Sequence, residues 1–246
     1  MHLFPAFLMA LLISLSLISP VHGSGVPTDD NDWSLRTESN GVRIYTRNLD
    51  NSSINAFRAE TTLAVPLENV MAVMSVAGSC VEWVHQCSES FPLELDGDSY
   101  TDRHAYSVNS MPWPASDRDY VLRIKTHADP DTGDIEMNMH AVTGKKPEKN
   151  GHIRIEHSYT VYQFSRTDDN ETRMVWFQHT EPGGSLPSWL VNKLSTDLPY
   201  NSLRQLQEVA LEDRYRNHEI LYDDDGQIIG VRKKDQPDDG EQESRD

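Results

Sequence analysis

The sequence predicts an α+β domain built on one antiparallel sheet. Two patterns predict it. Short runs in which apolar and polar residues alternate recur along the chain between turn signals, which is the pattern of β-hairpins. These runs are framed by a short helix-period segment after Pro66 and a long one after Pro187, and hairpins framed by two helices are the element order of an α+β domain.

Each element has a local reason. Trp33 to Leu35 begins the domain, and Ser39-Asn40-Gly41 is a turn signal before the alternating strand Val42 to Arg47. Ile54 to Leu63 reads as its hairpin partner. Pro66 opens a helix with Leu67, Val70, Met71 and Met74 on one face, and a loop carrying Cys80, Trp83 and Cys87 follows. Ser90 to Leu95 and Tyr100 to Asn109 flank the turn Asp96-Gly97-Asp98. Met111-Pro112-Trp113-Pro114 is a rigid loop, because each proline removes a donor and restricts the residue before it. Arg118 to His127 is a strand with Tyr120, Leu122 and Ile124 on one face. After Asp131-Thr132-Gly133 comes a clean period-two face of Ile135, Met137, Met139 and Ala141. Lys145 to Asn150 is a polar loop, and Ile153 to Phe164 pairs with Thr172 to Thr180 around Asp168-Asp169-Asn170.

The long helix begins at Pro187, a favourable first-turn position. Leu190, Leu194 and Leu198 follow at four-residue spacing, and Leu203, Leu206 and Ala210 extend the apolar stripe. Pro199 lies inside it and costs about 3 kcal/mol in a regular helix, so a kink or a short break is expected there. Leu221-Tyr222 and Ile228-Ile229 flank Asp223-Asp224-Asp225-Gly226 and allow a small hairpin, but residues 220–246 are acidic overall and are expected to form a disordered tail.

Residues 1–23 read as a signal peptide, with an apolar run from Leu8 to Ile18 and a cut expected at Ser24. Residues 24–30 form a polar leader. Neither Lys nor Arg precedes the apolar run, so an uncleaved anchor stays open, although the run is short of the ~20 residues of a membrane span. A periplasmic or secreted protein is therefore expected. The formal net charge of −17 excludes a basic nucleic-acid footprint and disfavours broad attraction to anionic lipid surfaces. Cys80 and Cys87 are the two cysteines. In an exported chain the first expectation is a disulfide, and a reduced buried pair is the alternative. Two thiols without clustered partners do not complete a tetrahedral metal site.

Catalytic signatures are missing. There is no Gly-x-Ser-x-Gly, no His-Glu-x-x-His and no phosphate-cradling loop, since Gly183-Gly184 lacks the lysine and the glycine spacing. His152 and His157 are five positions apart, which puts them on opposite faces of a strand. Nothing in the pattern brings His104, His140 and His179 together.

Three strings carry a resemblance. Ser116-Asp117-Arg118-Asp119-Tyr120-Val121 opens a strand, Gly151-His152-Ile153-Arg154-Ile155-Glu156-His157 opens the next hairpin, and Gly183-Gly184-Ser185-Leu186-Pro187 leads into the long helix. In this order and spacing the chain resembles a bacterial START-type domain over residues 31–219. The resemblance implies a helix-grip fold of the START/Bet v 1-like kind, with a curved antiparallel sheet wrapped around the C-terminal helix. It also implies one apolar ligand held between sheet and helix.

The residues that would face such a ligand are Tyr120, Leu122, Ile124, Met137, Met139, Trp176, Leu190, Leu194 and Leu198. The pattern alone reads them as an ordinary core, and only the resemblance makes them a cavity wall. Sterol-carrying members of the family often place a carboxylate and an arginine on neighbouring central strands. Counted without gaps from Arg118-Asp119, those positions here are Ala105 and Ile124, both apolar. Tyr106 and Val108 nonetheless look more inward than Ala105, and a shift of one residue would turn His104 inward instead. Arg123 reads as a solvated or rim residue. Arg118-Asp119 and Arg154-Glu156 read as pairs that set strand ends. Trp113 is either an exposed aromatic at a cavity mouth or membrane surface, or a cap on the core edge.

The expectation is a monomeric carrier or sensor of a lipid or other apolar small molecule. It makes transient membrane contact and needs no cofactor, metal or nucleic acid. An enzyme of cyclase or hydrolase type on the same scaffold, and a fully packed interaction module, are the alternatives.

Overall fold

Asn40 and Gly41 both take positive φ, 49° and 76°, and turn the chain back so that Ser39 faces Val42. A two-residue reversal of this kind matches the twist of the strands it joins. The computed structural model describes residues 32–234 except positions 51, 53, 77 and 169. Residues 1–23, read above as a signal peptide, residues 24–30, read as a leader, and residues from 235 onward lie outside the described residues.

In chain order the elements are β1 (Ser34–Ser39), β2 (Val42–Arg47), β3 (Ala56–Leu63), α1 (Leu67–Ser75), α2 (Cys80–Trp83), β4 (Cys87–Leu93), β5 (Asp102–Asn109) and β6 (Asp117–Ala128). Then come β7 (Ile135–Ala141), β8 (His152–Arg154), β9 (Ser158–Asp168), β10 (Glu171–Thr180), α3 (Ser188–Ala210), a 3-10 turn (Asp213–Tyr215), β11 (His218–Tyr222) and β12 (Ile228–Lys233). The strands of the large sheet run β1-β2-β3-β10-β9-β7-β6-β5-β4, with β8 added beside β6. Every neighbouring pair on this path is antiparallel, and β8 lies parallel to β6. The predicted α+β class with an antiparallel sheet is the observed one.

One face of the sheet carries both longer helices. Met71 of α1, Leu203 and Leu206 of α3, and Ile44, Phe164 and Trp176 of the sheet belong to one buried cluster. The other face holds two smaller clusters, around Val161 and Phe177 and around Tyr106, Val108 and Val121.

That last cluster corrects the reading of β5. Tyr106 and Val108 point away from the helices, whereas Ala105 and Ser107 line the cavity on the helix side. Tyr106 is drawn to the far face by specific partners: its hydroxyl donates to Asp119 Oδ2 at 3.0 Å, and its ring lies 5.0 Å from that of Phe91. Apolar alternation cannot tell the two faces of a strand apart when both are buried.

α3 runs unbroken through Pro199, so the expected break is absent. Proline removes a single N–H from the ladder. Leu198, Leu203 and Leu206 pack into the core on both sides of it, and this tertiary packing is what holds most helices in place. The C-terminal boundary also differs. Residue 219 falls inside β11, and 218–233 form a paired hairpin. Ile228 is fully buried in the main cluster, Gln227 Nε2 donates to the Ala128 carbonyl at 3.1 Å, and Asp223 Oδ1 accepts from the N–H groups of Asp225 and Gln227. The acidic average of this segment hid a hairpin anchored by Ile228, with the partly buried Ile220 and Val231 packed against the same cluster.

Cys80 and Cys87 form a disulfide, with 5.9 Å between their Cα atoms, that ties α2 to β4. No helix among the described residues is long and apolar enough to cross a membrane.

Candidate functional site

The three strings that carry the family resemblance meet at one place. Pairing of β8 with β6 sets Ile153 beside Arg118 and Arg154 beside Asp119. Arg118 then reaches the loop before α3, where its Nε and Nη2 donate to the carbonyls of Pro182 and Gly183, both at 3.1 Å. Gly183 has φ +61°, and a Cβ there would meet Ile153 Cγ2 at 2.9 Å, so only glycine fits both the backbone and the space. Arg154 donates to both carboxyl oxygens of Asp119, at 3.1 and 2.8 Å. Burial pushes the Asp119 carboxyl up, but hydrogen bonds from Arg154 and Tyr106 outweigh it and hold its pKa below the usual carboxylate range. Glu156 takes no part and is exposed. This node locks the entry of α3 against β6 and β8.

Beneath α3 lies a cavity of about 270 Å³. β6 supplies Tyr120, Leu122 and Ile124, β7 supplies Met137 and Met139, β10 supplies Trp176, and α3 supplies Leu198. All seven are residues the sequence singles out as candidate wall positions. Leu194 lines a second, smaller cavity of about 50 Å³ beside the first. Leu190 is the exception. It is 1% exposed but lines neither cavity. Four-residue spacing drifts around a 3.6-residue helix, so Leu190 and Leu198 point roughly 80° apart.

Other wall residues went unassigned from the sequence. Trp83 of α2 and Tyr162 of β9 line the cavity with Trp176, their rings 5.3–6.0 Å apart in edge contacts. Burial pushes the hydroxyl pKa of Tyr162 up, and that of Tyr120 to about 12, so both stay neutral. The ladder sets Arg103 opposite Ile124 and Ala105 opposite Leu122, and all four side chains line the cavity. Arg103 therefore brings a charge to the inward face of β5, beside the neutral polar groups of Ser107 and Asn109. His104 is held at the cavity edge by Asp98, Nδ1 to Oδ1 at 2.8 Å. Arg123 pairs with Asp102, is partly exposed and lines neither cavity. The strand parity that identifies Arg103 was available in the sequence, but only once Ala105 was known to face inward.

Asn109, Tyr120, Gln178 and Leu198 line both cavities and so form the partition between them. Gln178 is fixed by neighbours: its Oε1 accepts from Trp176 Nε1 and its Nε2 donates to Thr180 Oγ1, each at 3.0 Å. The smaller cavity is bounded by Met111 of the loop before β6, Pro182 of the loop before α3, and Val191 of α3, and two exposed tryptophans lie two residues from Met111 and from Val191 in the chain. Trp113 is 90% exposed and Trp189 48%, so Trp113 does not cap the core. Among the described residues no group of three or more His, Cys, Asp or Glu side chains is arranged to hold a metal.

The START domain family profile matches residues 24–206. An uncharacterized protein of Pseudomonas aeruginosa is 32% identical over 180 residues, covering 73% of this chain and 87% of its own. The phosphatidylcholine transfer protein of Bos taurus is 24% identical over 164 residues, 65% of this chain and 75% of its own. Among solved structures, a STAR-related lipid transfer protein from Xanthomonas axonopodis superposes with a TM-score of 0.66 at 28% identity, covering 74% of this chain and all of that one.

Proposed function

The chain belongs to the START domain family, and on that premise we propose that it binds one lipid in the cavity beneath α3 and carries it without chemical change. The observation that carries this reading is the cavity itself. Its walls are mainly aliphatic and aromatic, with a few placed polar groups, the composition of a site that binds by apolar burial and orients by hydrogen bonds. The printed names of the Bos taurus and Xanthomonas axonopodis relatives support a lipid as the class of ligand.

Residues Tyr120, Leu122, Ile124, Met137, Met139, Trp176 and Leu198 contact the ligand's apolar part in this proposal, and Met137 and Met139 adapt to its shape through flexible thioethers. Exchange takes place where the protein touches a membrane. Trp113 and Trp189 suit the interface, because an indole combines an apolar body with one polar N–H. Each lies two residues from a wall residue of the small cavity, Met111 or Val191, so the route runs past Tyr120 and Leu198 into the large one. The net charge of −17 leaves apolar contact, rather than charge attraction, to drive the encounter. The Cys80–Cys87 disulfide supports an oxidising compartment, the periplasm or the cell exterior.

Transfer of fluorescent phospholipid and fatty acid between donor and acceptor vesicles tests the reading. Protein-dependent transfer with the lipid recovered intact is expected. Hydrolysed or rearranged lipid would favour an enzyme on this scaffold instead.

A further inference from the structure

We infer that the cavity selects a lipid with a single acyl chain and an anionic oxygen headgroup, a carboxylate or a phosphate, which Arg103 binds. This deepens the lipid-carrier reading and rests on it.

The first observation is the charge. Arg103 lines the cavity, and no ion pair joins it to a carboxylate among the described residues. Its Nη1 donates to the Tyr100 carbonyl and to Thr126 Oγ1, its Nη2 reaches the Met74 carbonyl at 3.4 Å, and the guanidinium lies 5.0 Å from the Tyr100 ring. All of these partners are neutral. The Met74 carbonyl belongs to the last turn of α1, whose dipole only partly offsets a full charge. Burial pulls the guanidinium pKa down. Two carboxylates also line this cavity, but Asp98 is held by His104 and Glu94 is exposed at the rim. A bound anion would supply the missing charge and accept from the free edge of the guanidinium fork.

The second observation is size. Arg103, Ala105, Ser107 and Asn109 alternate along β5 and all line the cavity. Arg103 to Asn109 spans roughly 20 Å at a strand's rise per residue. One acyl chain covers about 15 Å, half of a bilayer's hydrocarbon core, so one chain with its headgroup fits end to end. The volume of about 270 Å³ lies just below the roughly 300–1,000 Å³ of small-molecule pockets, too little for two chains side by side. Asn109 adjoins the small cavity and the Trp113 loop, so a lipid drawn from a membrane there enters headgroup first and brings its anion to Arg103. The protein's net negative charge acts on the approach to a surface and is screened over about 8 Å, whereas Arg103 acts at contact.

The test is a binding series on the delipidated full chain, using palmitate, palmitoyl lysophosphatidate, hexadecanol, dipalmitoyl phosphatidylcholine and inorganic phosphate. Palmitate or the lysophosphatidate should bind one to one, about ten- to a hundredfold tighter than hexadecanol, the worth of a hydrogen bond to a charged group. The tighter of the two names the headgroup. Arg103→Met should reduce both to the level of hexadecanol, and Arg103→Lys should restore part of the preference. Equal affinity for hexadecanol in the unmodified protein overturns the inference, as does a preference that survives in folded Arg103→Met. Tighter binding of the two-chain lipid overturns the single-chain assignment, and inorganic phosphate binding as tightly as the lysophosphatidate overturns the lipid source of the anion. If no lipid binds, hexadecanol included, the carrier reading itself fails; if hexadecanol binds without preference, only this inference does.

Discussion

Asp119 accepts two hydrogen bonds from Arg154, in a pair whose side chains are 1% and 6% exposed. Removing one partner of a buried pair strands the other, at a cost of about 3–5 kcal/mol, so Asp119→Ala should lower unfolding free energy by that much in urea titrations at pH 7. The pair also sets an acid limb. The folded carboxyl has its pKa below the ordinary 3.8, so the unfolded chain takes up the proton first as the pH falls. The stabilisation is complete above that value and is lost as the pH drops through the lower folded pKa. A mutant that stays folded should show a flatter stability profile below about pH 4 than the parent.

Ala105 faces the cavity, and Ala105→Phe should fill part of it. Overpacking a dense core costs about 1–3 kcal/mol, but here the ring enters the cavity, so the expected cost is under about 1 kcal/mol. Lipid occupancy measured by mass should fall sharply while the thermal midpoint moves by only a few degrees. Full occupancy in this variant would place the ligand elsewhere.

Trp113→Ala removes a side chain that is 90% exposed. Stability should change by no more than about 0.5 kcal/mol, and affinity for lipid in solution should not change. The rate of transfer between vesicles should drop, because the residue acts only while the protein touches the membrane. A transfer rate equal to that of the parent would remove Trp113 from the docking surface.

The disulfide closes a short loop at the cavity wall, since Cys80 itself lines the cavity. Replacing both cysteines by alanine should cost about 2–3 kcal/mol by the loop-entropy relation, read as a lower urea midpoint. Reductant should produce the same shift in the parent and none in the double mutant.

The antiparallel sheet was legible because its strands alternate cleanly, as in Met137 and Met139 of β7, and because its turns carry glycine or asparagine where positive φ is required. The motif node was legible too, although only the structure shows why its parts go together: Arg118, Ile153 and Gly183 touch. Other features depend on partners distant in sequence. Which face of β5 turns inward is decided by Asp119 and Phe91 around Tyr106, and no local pattern contains them. Arg103 was hidden by the same ambiguity. Pro199 was weighed by its local cost, whereas the helix is held by long-range packing. The acidic composition of the 218–233 hairpin masks its anchors, Ile228 in the core with Ile220 and Val231 packed beside it and Gln227 bonded to Ala128.

The most direct test of lipid carriage is native mass spectrometry of the protein as purified from the cell that makes it, followed by organic extraction. A single lipid-sized adduct at one-to-one stoichiometry, released on denaturation, is expected. A bare mass that persists after incubation with lipid vesicles would contradict lipid carriage.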